Sequence, residues 1–114
     1  MAPLEHEIAV RGAVAVVRVS GELDLASAAE LAPELDRLAD ADGIEAAVLD
    51  LRELEFMDSS GLRMVAQCHL RFVDAGRRFA LVAGREPVHR VFEITRMAER
   101  LEWVSGPDEL GGAP

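Results

Sequence analysis

The sequence of 114 residues predicts an α/β fold in which strands and helices alternate along the chain. Two runs of aliphatic and β-branched residues, at 13–20 and 44–51, are typical of buried strands. Each is followed by apolar residues that recur at three- and four-residue intervals, which is the spacing of an amphipathic helix. Strands separated by helices pair in parallel, so we expect a mixed, mostly parallel sheet of four or five strands, with helices mainly on one side.

The N-terminal residues predict a β-hairpin that adds an antiparallel strand to this sheet. Segments 4–10 and 13–20 are separated by Arg11-Gly12, a short turn that permits antiparallel pairing. The sequence Gly-Glu-Leu-Asp at 21–24 is then expected to leave the second strand as a loop.

The first helix is expected to begin near Ser27. Ser27 and Glu30 have the spacing of a capping box, and apolar residues follow at helical intervals. Pro33 lacks an N–H group, so it predicts a late start or a kink. Asp42-Gly43 is expected to end the helix.

The sequence Asp58-Ser59-Ser60-Gly61 predicts a tight turn between the strand at 44–51 and a second helix that extends to about residue 75. On a helical wheel, one broad apolar arc contains Leu62, Val65, Ala66, Cys68, His69, Phe72 and Val73. Met64 falls on the polar side, where it is either an exposed apolar residue or an adaptable contact for a partner.

The remaining residues predict a strand at 79–83, a helix that opens at Glu86-Pro87, a short strand at 101–104 and a closing turn at 107–110. Residues 111–114 are expected to form a frayed tail. We therefore expect a single domain over residues 1–110.

Composition limits the classes of function. The formal net charge of −9 argues against direct binding of nucleic acid and fits a basic protein partner better. Cys68 is the only cysteine, which excludes an internal disulfide or a cysteine metal cluster and indicates a buried thiol. No apolar run is long enough to suggest membrane insertion or a secretion signal. We expect a cytoplasmic protein.

No catalytic constellation is recognisable. The sequence lacks the nucleophile elbow, the phosphate-binding loop and the zinc-protease motif. His69 lies on the apolar arc of its helix, where a packed core histidine is the simplest interpretation. Asp58 could assist Ser59 as a nucleophile, but neither a base nor an oxyanion hole can be assigned. We expect no enzyme activity, no cofactor and no bound metal.

The Asp58-Ser59-Ser60-Gly61 turn is the strongest functional candidate. A helix N-terminus favours anionic groups, so a phosphate on Ser59 would have local electrostatic support and would add charge beside Asp58. Ser60 is the second candidate for this modification. The alternative is that Asp58 or Ser59 acts only as a helix N-cap, and the two roles are compatible.

The chain resembles the STAS domain of bacterial anti-sigma-factor antagonists. The resemblance rests on the order of three segments, SGELDL at 20–25, VLDL at 48–51 and FMDSSGL at 56–62, and extends to residues 87–95. It implies that Ser59 is phosphorylated by a partner that is both an anti-sigma factor and a serine kinase. It also implies that a PP2C-type phosphatase reverses the modification and that Asp24 lies near the partner surface.

Two residues depart from the pattern of the family. Arg63 replaces a glycine that many members have after the turn, and its cation one turn from Ser59 is expected to influence which kinase binds. Arg96 stands where a glycine often follows the threonine, and is expected to alter only a helix end. The predicted partner-binding residues are Asp24, Asp58, Ser59, Ser60, Gly61, Arg63 and Met64.

Two other functions are compatible with the sequence. STAS domains also serve as adaptor subunits of signalling or lipid-transport assemblies, where no phosphorylation cycle is needed. An enzyme with Ser59 as nucleophile is a third hypothesis. The cognate sigma factor and kinase, the stimulus and the oligomeric state are not predicted.

Overall fold

The computed structural model describes residues 2–110 and contains a five-stranded sheet with three α-helices. The strands are β1 (Glu5–Arg11), β2 (Val14–Leu23), β3 (Ala46–Met57), β4 (Arg78–Val82) and β5 (Glu102–Val104). The helices are α1 (Leu25–Asp40), α2 (Ser59–Asp74) and α3 (Glu86–Ile94), with short 3-10 helices at Met97–Arg100 and Pro107–Leu110. The predicted tail at 111–114 lies outside the described residues.

The strands lie in the sheet in the order β1-β2-β3-β4-β5. β1 is antiparallel to β2, whereas the other three pairs are parallel. The predicted mixed sheet with an antiparallel N-terminal strand is therefore confirmed. The hairpin turn contains Gly12 with a φ of 59°, a left-handed conformation that glycine adopts without strain.

The helices cover one face of the sheet, as predicted. The main core joins sheet residues such as Val17 and Leu49 to Leu35 of α1, Phe72 of α2 and Phe92 of α3. A smaller apolar cluster on the opposite face is covered in part by Leu110 of the C-terminal 3-10 helix. Its residues are Val14, Val16, Ala46, Val48, Ala80, Val82 and Val104.

The strands β2 and β3 are longer than the sequence predicted. Residues 21–23, expected to form a loop, continue β2, and β3 continues past Leu51 to Met57. The two extensions pair with each other, from Ser20 opposite Glu53 to Leu23 opposite Met57. One register shift lies just before Ser20 and a second lies between Gly21 and Glu22. These shifts break the strict alternation of apolar and polar residues, which explains why the extension does not resemble a strand in the sequence.

The first helix begins earlier than predicted. Its N-cap is Asp24, not Ser27, and Ser27 occupies the third helical position of a capping box with Asp24. The predicted late start is therefore wrong. Pro33 lies inside α1 at an exposed position. Because proline has no N–H group, the carbonyl of Ala29, one turn earlier, lacks its helical hydrogen-bond donor. Ala29 is exposed, so water can reach this part of the helix and replace the lost hydrogen bond.

The buried face of α2 differs at two positions from the apolar face that the helical wheel predicted. Met64, placed on the polar side, is only 4% exposed and belongs to the main core. Val73, placed on the apolar arc, is 54% exposed. The helix α1 packs beside α2, and a wheel drawn for one helix does not contain this neighbour. The Cys68 thiol is buried as predicted, and burial raises its pKa to about 12.

Candidate functional site

The site lies where the parallel strands β2 and β3 end side by side. Leu23 is the last residue of β2 and Met57 the last of β3, and the two are register partners. Each strand is followed at once by an aspartate that caps a helix, Asp24 for α1 and Asp58 for α2. The backbone N–H of Asp58 donates a hydrogen bond to the Leu23 carbonyl at 3.2 Å. The two helix N-termini are therefore held together.

Asp58 accepts hydrogen bonds from the backbone N–H groups at the start of α2. Its Oδ1 accepts from the backbone N–H groups of Ser60 at 2.9 Å and Gly61 at 3.1 Å. Its carbonyl oxygen accepts from the N–H of Leu62 at 3.1 Å. Asp58, rather than Ser59, is thus the N-cap, and capping does not require the hydroxyl of Ser59.

The two serines occupy the first two positions of α2. Ser59 is exposed and Ser60 is half-buried. Neither hydroxyl makes a hydrogen bond to any residue between 2 and 110. A hydroxyl that is exposed and free of structural hydrogen bonds can be modified without breaking a contact within the domain.

Gly61 is required by packing at the base of this turn. A Cβ atom built at Gly61 would lie 2.7 Å from Cγ of Met57 and 2.8 Å from Cγ of Leu23. Both neighbouring side chains are buried in the main core, so a shift of either would disturb its packing. The glycine therefore brings α2 close to the ends of both strands. The structure assigns Gly61 a packing role, and its contact with a partner stays a prediction.

Asp24 forms a reciprocal cap with Ser27. The Ser27 N–H donates to Oδ1 of Asp24 at 3.0 Å, and the Asp24 N–H donates to Oγ of Ser27 at 2.9 Å. The hydrogen bonds from the backbone and the hydroxyl of Ser27 lower the pKa of Asp24 below its ordinary value. A carboxylate is therefore fixed next to the start of α2.

The N-terminal segment also reaches this region. The N–H of Glu22 donates to the carbonyl of Ala2 at 3.2 Å, and Gly21, with a φ of 86°, packs its Cα against the carbonyl of Pro3. A side chain at Gly21 would collide with that carbonyl. The Gly-Glu-Leu-Asp sequence thus contains a bulged strand end, with the glycine required at the bulge.

A groove of about 190 Å³ separates α1 from α2 next to Ser60. Its walls combine apolar residues of α1 with the exposed face of α2. The lining residues are Leu25, Ala28, Ala29, Ala32, Ser60, Arg63, Met64 and Gln67. Leu25 is 72% exposed although it is apolar, so its side chain is available for contact with a partner. Leu25 was not among the predicted site residues, because the helix was expected to begin near Ser27 and not directly after Asp24.

Arg63 and Met64, which were predicted to bind a partner, both line this groove, but Arg63 is exposed and Met64 is buried. Arg63 is exposed and makes no ion pair with any residue in the described range 2–110. Met64 contributes to the groove wall from a mostly buried position, and its sulfur lies 3.5 Å from that of Cys68. The structure brings the predicted residues Asp24, Asp58, Ser59, Ser60, Gly61, Arg63 and Met64 together around the start of α2.

Other chemistries find little support in the described residues. Between residues 2 and 110, no three His, Cys, Asp or Glu side chains are grouped so that they could hold a metal ion. None of the helices in that range has the length and apolarity that a membrane crossing requires. His69 and His89 are partly buried, with unpaired Nδ1 atoms and aromatic neighbours.

Comparison with known proteins identifies the class of domain that these features define. A family model described as the STAS domain matches residues 5–106. An anti-sigma F factor antagonist from Paenibacillus polymyxa is 32% identical over 92 residues, which cover 81% of this chain and 79% of that protein. This chain belongs to the STAS-domain family of anti-sigma-factor antagonists.

Solved structures share the fold of this chain. An anti-sigma factor antagonist from Mycobacterium paratuberculosis matches with a TM-score of 0.82 and 25% identity, covering 94% of this chain and 90% of that one. The fold also matches the antagonist SpoIIAA in its unphosphorylated form, with a TM-score of 0.78, 20% identity and coverage of 98% and 99%. The phosphorylated form of SpoIIAA from Bacillus matches with a TM-score of 0.70, 18% identity and coverage of 95% and 96%.

Proposed function

We propose that this domain is an anti-sigma-factor antagonist whose binding is controlled by phosphorylation of Ser59. The unphosphorylated domain binds an anti-sigma factor that is also a serine kinase, and this binding releases a sigma factor. Phosphorylation ends the binding, and a PP2C-type phosphatase restores it. The names of the relatives support the class of partner, and the phosphorylated form of SpoIIAA supports modification of a domain with this fold.

The position of Ser59 is the observation that carries the proposal. Its side chain is exposed at the first position of α2, and its hydroxyl has no hydrogen-bond partner among residues 2–110. A kinase can therefore reach the hydroxyl without unfolding the helix. Ser60 is half-buried in the groove wall, which makes it the less accessible candidate.

The partner surface that we propose is the rim of the groove around Ser59. Leu25 supplies exposed apolar area, and Arg63 supplies a cation. The side chains of Asp24 and Asp58 supply two carboxylates that are held in place as helix N-caps. Gly61 and Met64 support this surface from below, and Met64 also borders the groove. An exposed apolar side chain with charged side chains around it fits an interface that has an apolar centre and a polar rim.

A phosphate at the centre of this surface is sufficient to separate the partners. It adds about 1.5 to 2 negative charges beside the Asp58 carboxylate, and these charges lose their hydration when a partner covers them. A difference of about 3 kcal/mol in binding free energy changes affinity more than a hundredfold. No large conformational change is needed.

The proposal is tested by incubating the protein with each anti-sigma-factor kinase of its source organism and Mg-ATP, followed by mass spectrometry. We expect one phosphate in the wild type and in Ser60→Ala, and none in Ser59→Ala. Binding of the unmodified protein to the same kinases, measured by calorimetry, should disappear after phosphorylation. Binding that persists with no phosphorylation by any kinase would instead favour a constitutive adaptor role.

A further inference from the structure

The chain contains 12 arginines and no lysine. Eight of these arginines form ion pairs within residues 2–110. Arg71, the other arginine of α2, lies 3.8 Å from Asp36 and also pairs with Asp40. Arg63 differs, because it has no acidic partner in the range 2–110 and is exposed. It is the cation of α2 that remains available.

A phosphate on Ser59 would find few other partners on its own helix. The N–H groups of Ser60 and Gly61 already donate to the Asp58 carboxylate, and the N–H of Leu62 donates to the Asp58 carbonyl. The phosphate would also lie next to the negative charge of Asp58. Backbone donors at the start of α2 are therefore largely unavailable, and repulsion from Asp58 favours a nearby counter-ion.

The helix places Arg63 where such a counter-ion is needed. Ser59 and Arg63 are four residues apart within α2, so their side chains lie on the same face about one turn apart. The anionic residue would precede the cationic one, which is the more favourable order for a pair at this spacing. A guanidinium can also bind a phosphate through two parallel hydrogen bonds.

We propose that Arg63 is the intramolecular counter-ion of a phosphate on Ser59. This inference rests on the proposed modification of Ser59. In the unmodified protein Arg63 is free to contact a partner across the groove. After phosphorylation it binds the phosphate of its own chain, so the partner both loses a cation and meets an anion. Arg63 is thus a positioning residue for the phosphate.

The test uses full-length protein in which phosphoserine is incorporated at position 59 during translation, so it does not depend on any kinase. The second pKa of the phosphate is measured by phosphorus NMR in the wild type and in Arg63→Gln. We expect the phosphate pKa to be higher by about 0.15 to 0.4 in Arg63→Gln, because loss of the cation destabilises the dianion. Arg63→Lys should retain most of the wild-type value.

Arg71→Gln is the matched control, since it removes an arginine from the same helix two turns further on and should leave the phosphate pKa unchanged. If Arg63→Gln and the wild type have the same phosphate pKa, the inference is wrong. A negative kinase assay would count against the proposed function and leave this titration valid.

A second measurement does not require phosphoserine. Ser59→Asp should raise the melting temperature more in the presence of Arg63 than in Arg63→Gln. Equal changes in melting temperature in the two backgrounds would also contradict the pairing of residues 59 and 63.

Discussion

The carbonyl of Leu23 accepts a hydrogen bond from the backbone N–H of Asp58, at 3.2 Å, and this bond links the end of β2 to the start of α2. Leu23 also packs beneath Gly61 and directly precedes the N-cap of α1. The geometry of the proposed switch therefore depends on a strand residue outside the Asp-Ser-Ser-Gly turn.

The N-cap role of Asp58 predicts an asymmetric response to substitution. Asp58→Ala should lower the free energy of unfolding by about 1 kcal/mol, because the N–H groups of Ser60 and Gly61 lose their acceptor. Asp58→Asn keeps an oxygen acceptor and should lose little. Urea unfolding of both variants checks this, and equal stability of the two would show that Asp58 does not cap α2.

Ser59→Ala and Ser59→Asp separate the charge of residue 59 from its structural contribution. Because Asp58 provides the cap, both variants should unfold within about 0.5 kcal/mol of the wild type. Ser59→Ala should bind the anti-sigma factor like the wild type, whereas Ser59→Asp should bind more weakly. The loss should be partial, since one carboxylate carries less charge than a phosphate. Wild-type affinity in Ser59→Asp would refute the charge mechanism.

Gly61→Ala should destabilise the domain in spite of the better helix propensity of alanine. The new Cβ would lie 2.7 Å from Met57 and 2.8 Å from Leu23, and both are buried. Overpacking of this kind costs about 1 to 3 kcal/mol, of which propensity returns up to about 1 kcal/mol. Gly106→Ala is the control, because nothing lies within 4 Å of a Cβ at that position. A neutral Gly61→Ala would mean that this packing is loose.

Arg96→Gly should stabilise the protein. Arg96 has a φ of 64°, the left-handed conformation, directly after the end of α3. A residue with a Cβ atom destabilises the folded state by about 1 to 2 kcal/mol in this conformation, and glycine removes that cost. The greater conformational freedom of glycine in the unfolded chain offsets part of this stabilisation. We expect a net increase of about 0.5 kcal/mol or more in thermal or urea unfolding. Arg100→Gly should give no such increase, and a less stable Arg96→Gly would contradict the assignment of strain.

Asp50 should contribute stability that depends on pH. Burial raises the pKa of Asp50, but the hydrogen bonds and charge of Arg52, with Arg18 further away, outweigh burial and lower it below the ordinary value. A carboxyl with a lowered pKa in the folded state stabilises the protein above its unfolded pKa, near 4, and loses this contribution as pH falls through the folded pKa.

The loss of stability caused by Asp50→Asn should therefore be larger at pH 7 than at pH 3 in urea unfolding. Asp42→Asn, at an exposed position without an ion pair in the described residues, is the control and should differ little from the wild type at either pH. A loss in Asp50→Asn that is equal at both values would show that the Asp50 charge contributes nothing.

The alternation of strands and helices could be predicted from the sequence because it depends on local patterns. The hairpin around Gly12 and the helix that begins at Glu86-Pro87 follow from backbone preferences of single residues. The turn at Asp58 and Ser59 was also identified, because N-caps are encoded by residue type.

The remaining features depend on contacts between distant segments. The extension of β3 to Met57 exists because it pairs with β2, and the burial of Met64 exists because α1 packs against α2. The groove beside Leu25 is a property of two helices together. Patterns within one segment contain none of this information, and the start of α1 was misplaced because Ser27 fits two capping arrangements equally well.

The contact between Ala2 and Glu22 has a practical consequence for binding studies. Because the first residues run alongside the bulged end of β2, an affinity tag fused directly before Ala2 would emerge next to Asp24 and could shield the groove from a partner. Leu110 packs on the opposite face of the sheet. Immobilisation through the C-terminal end therefore leaves the surface around Ser59 facing the solution.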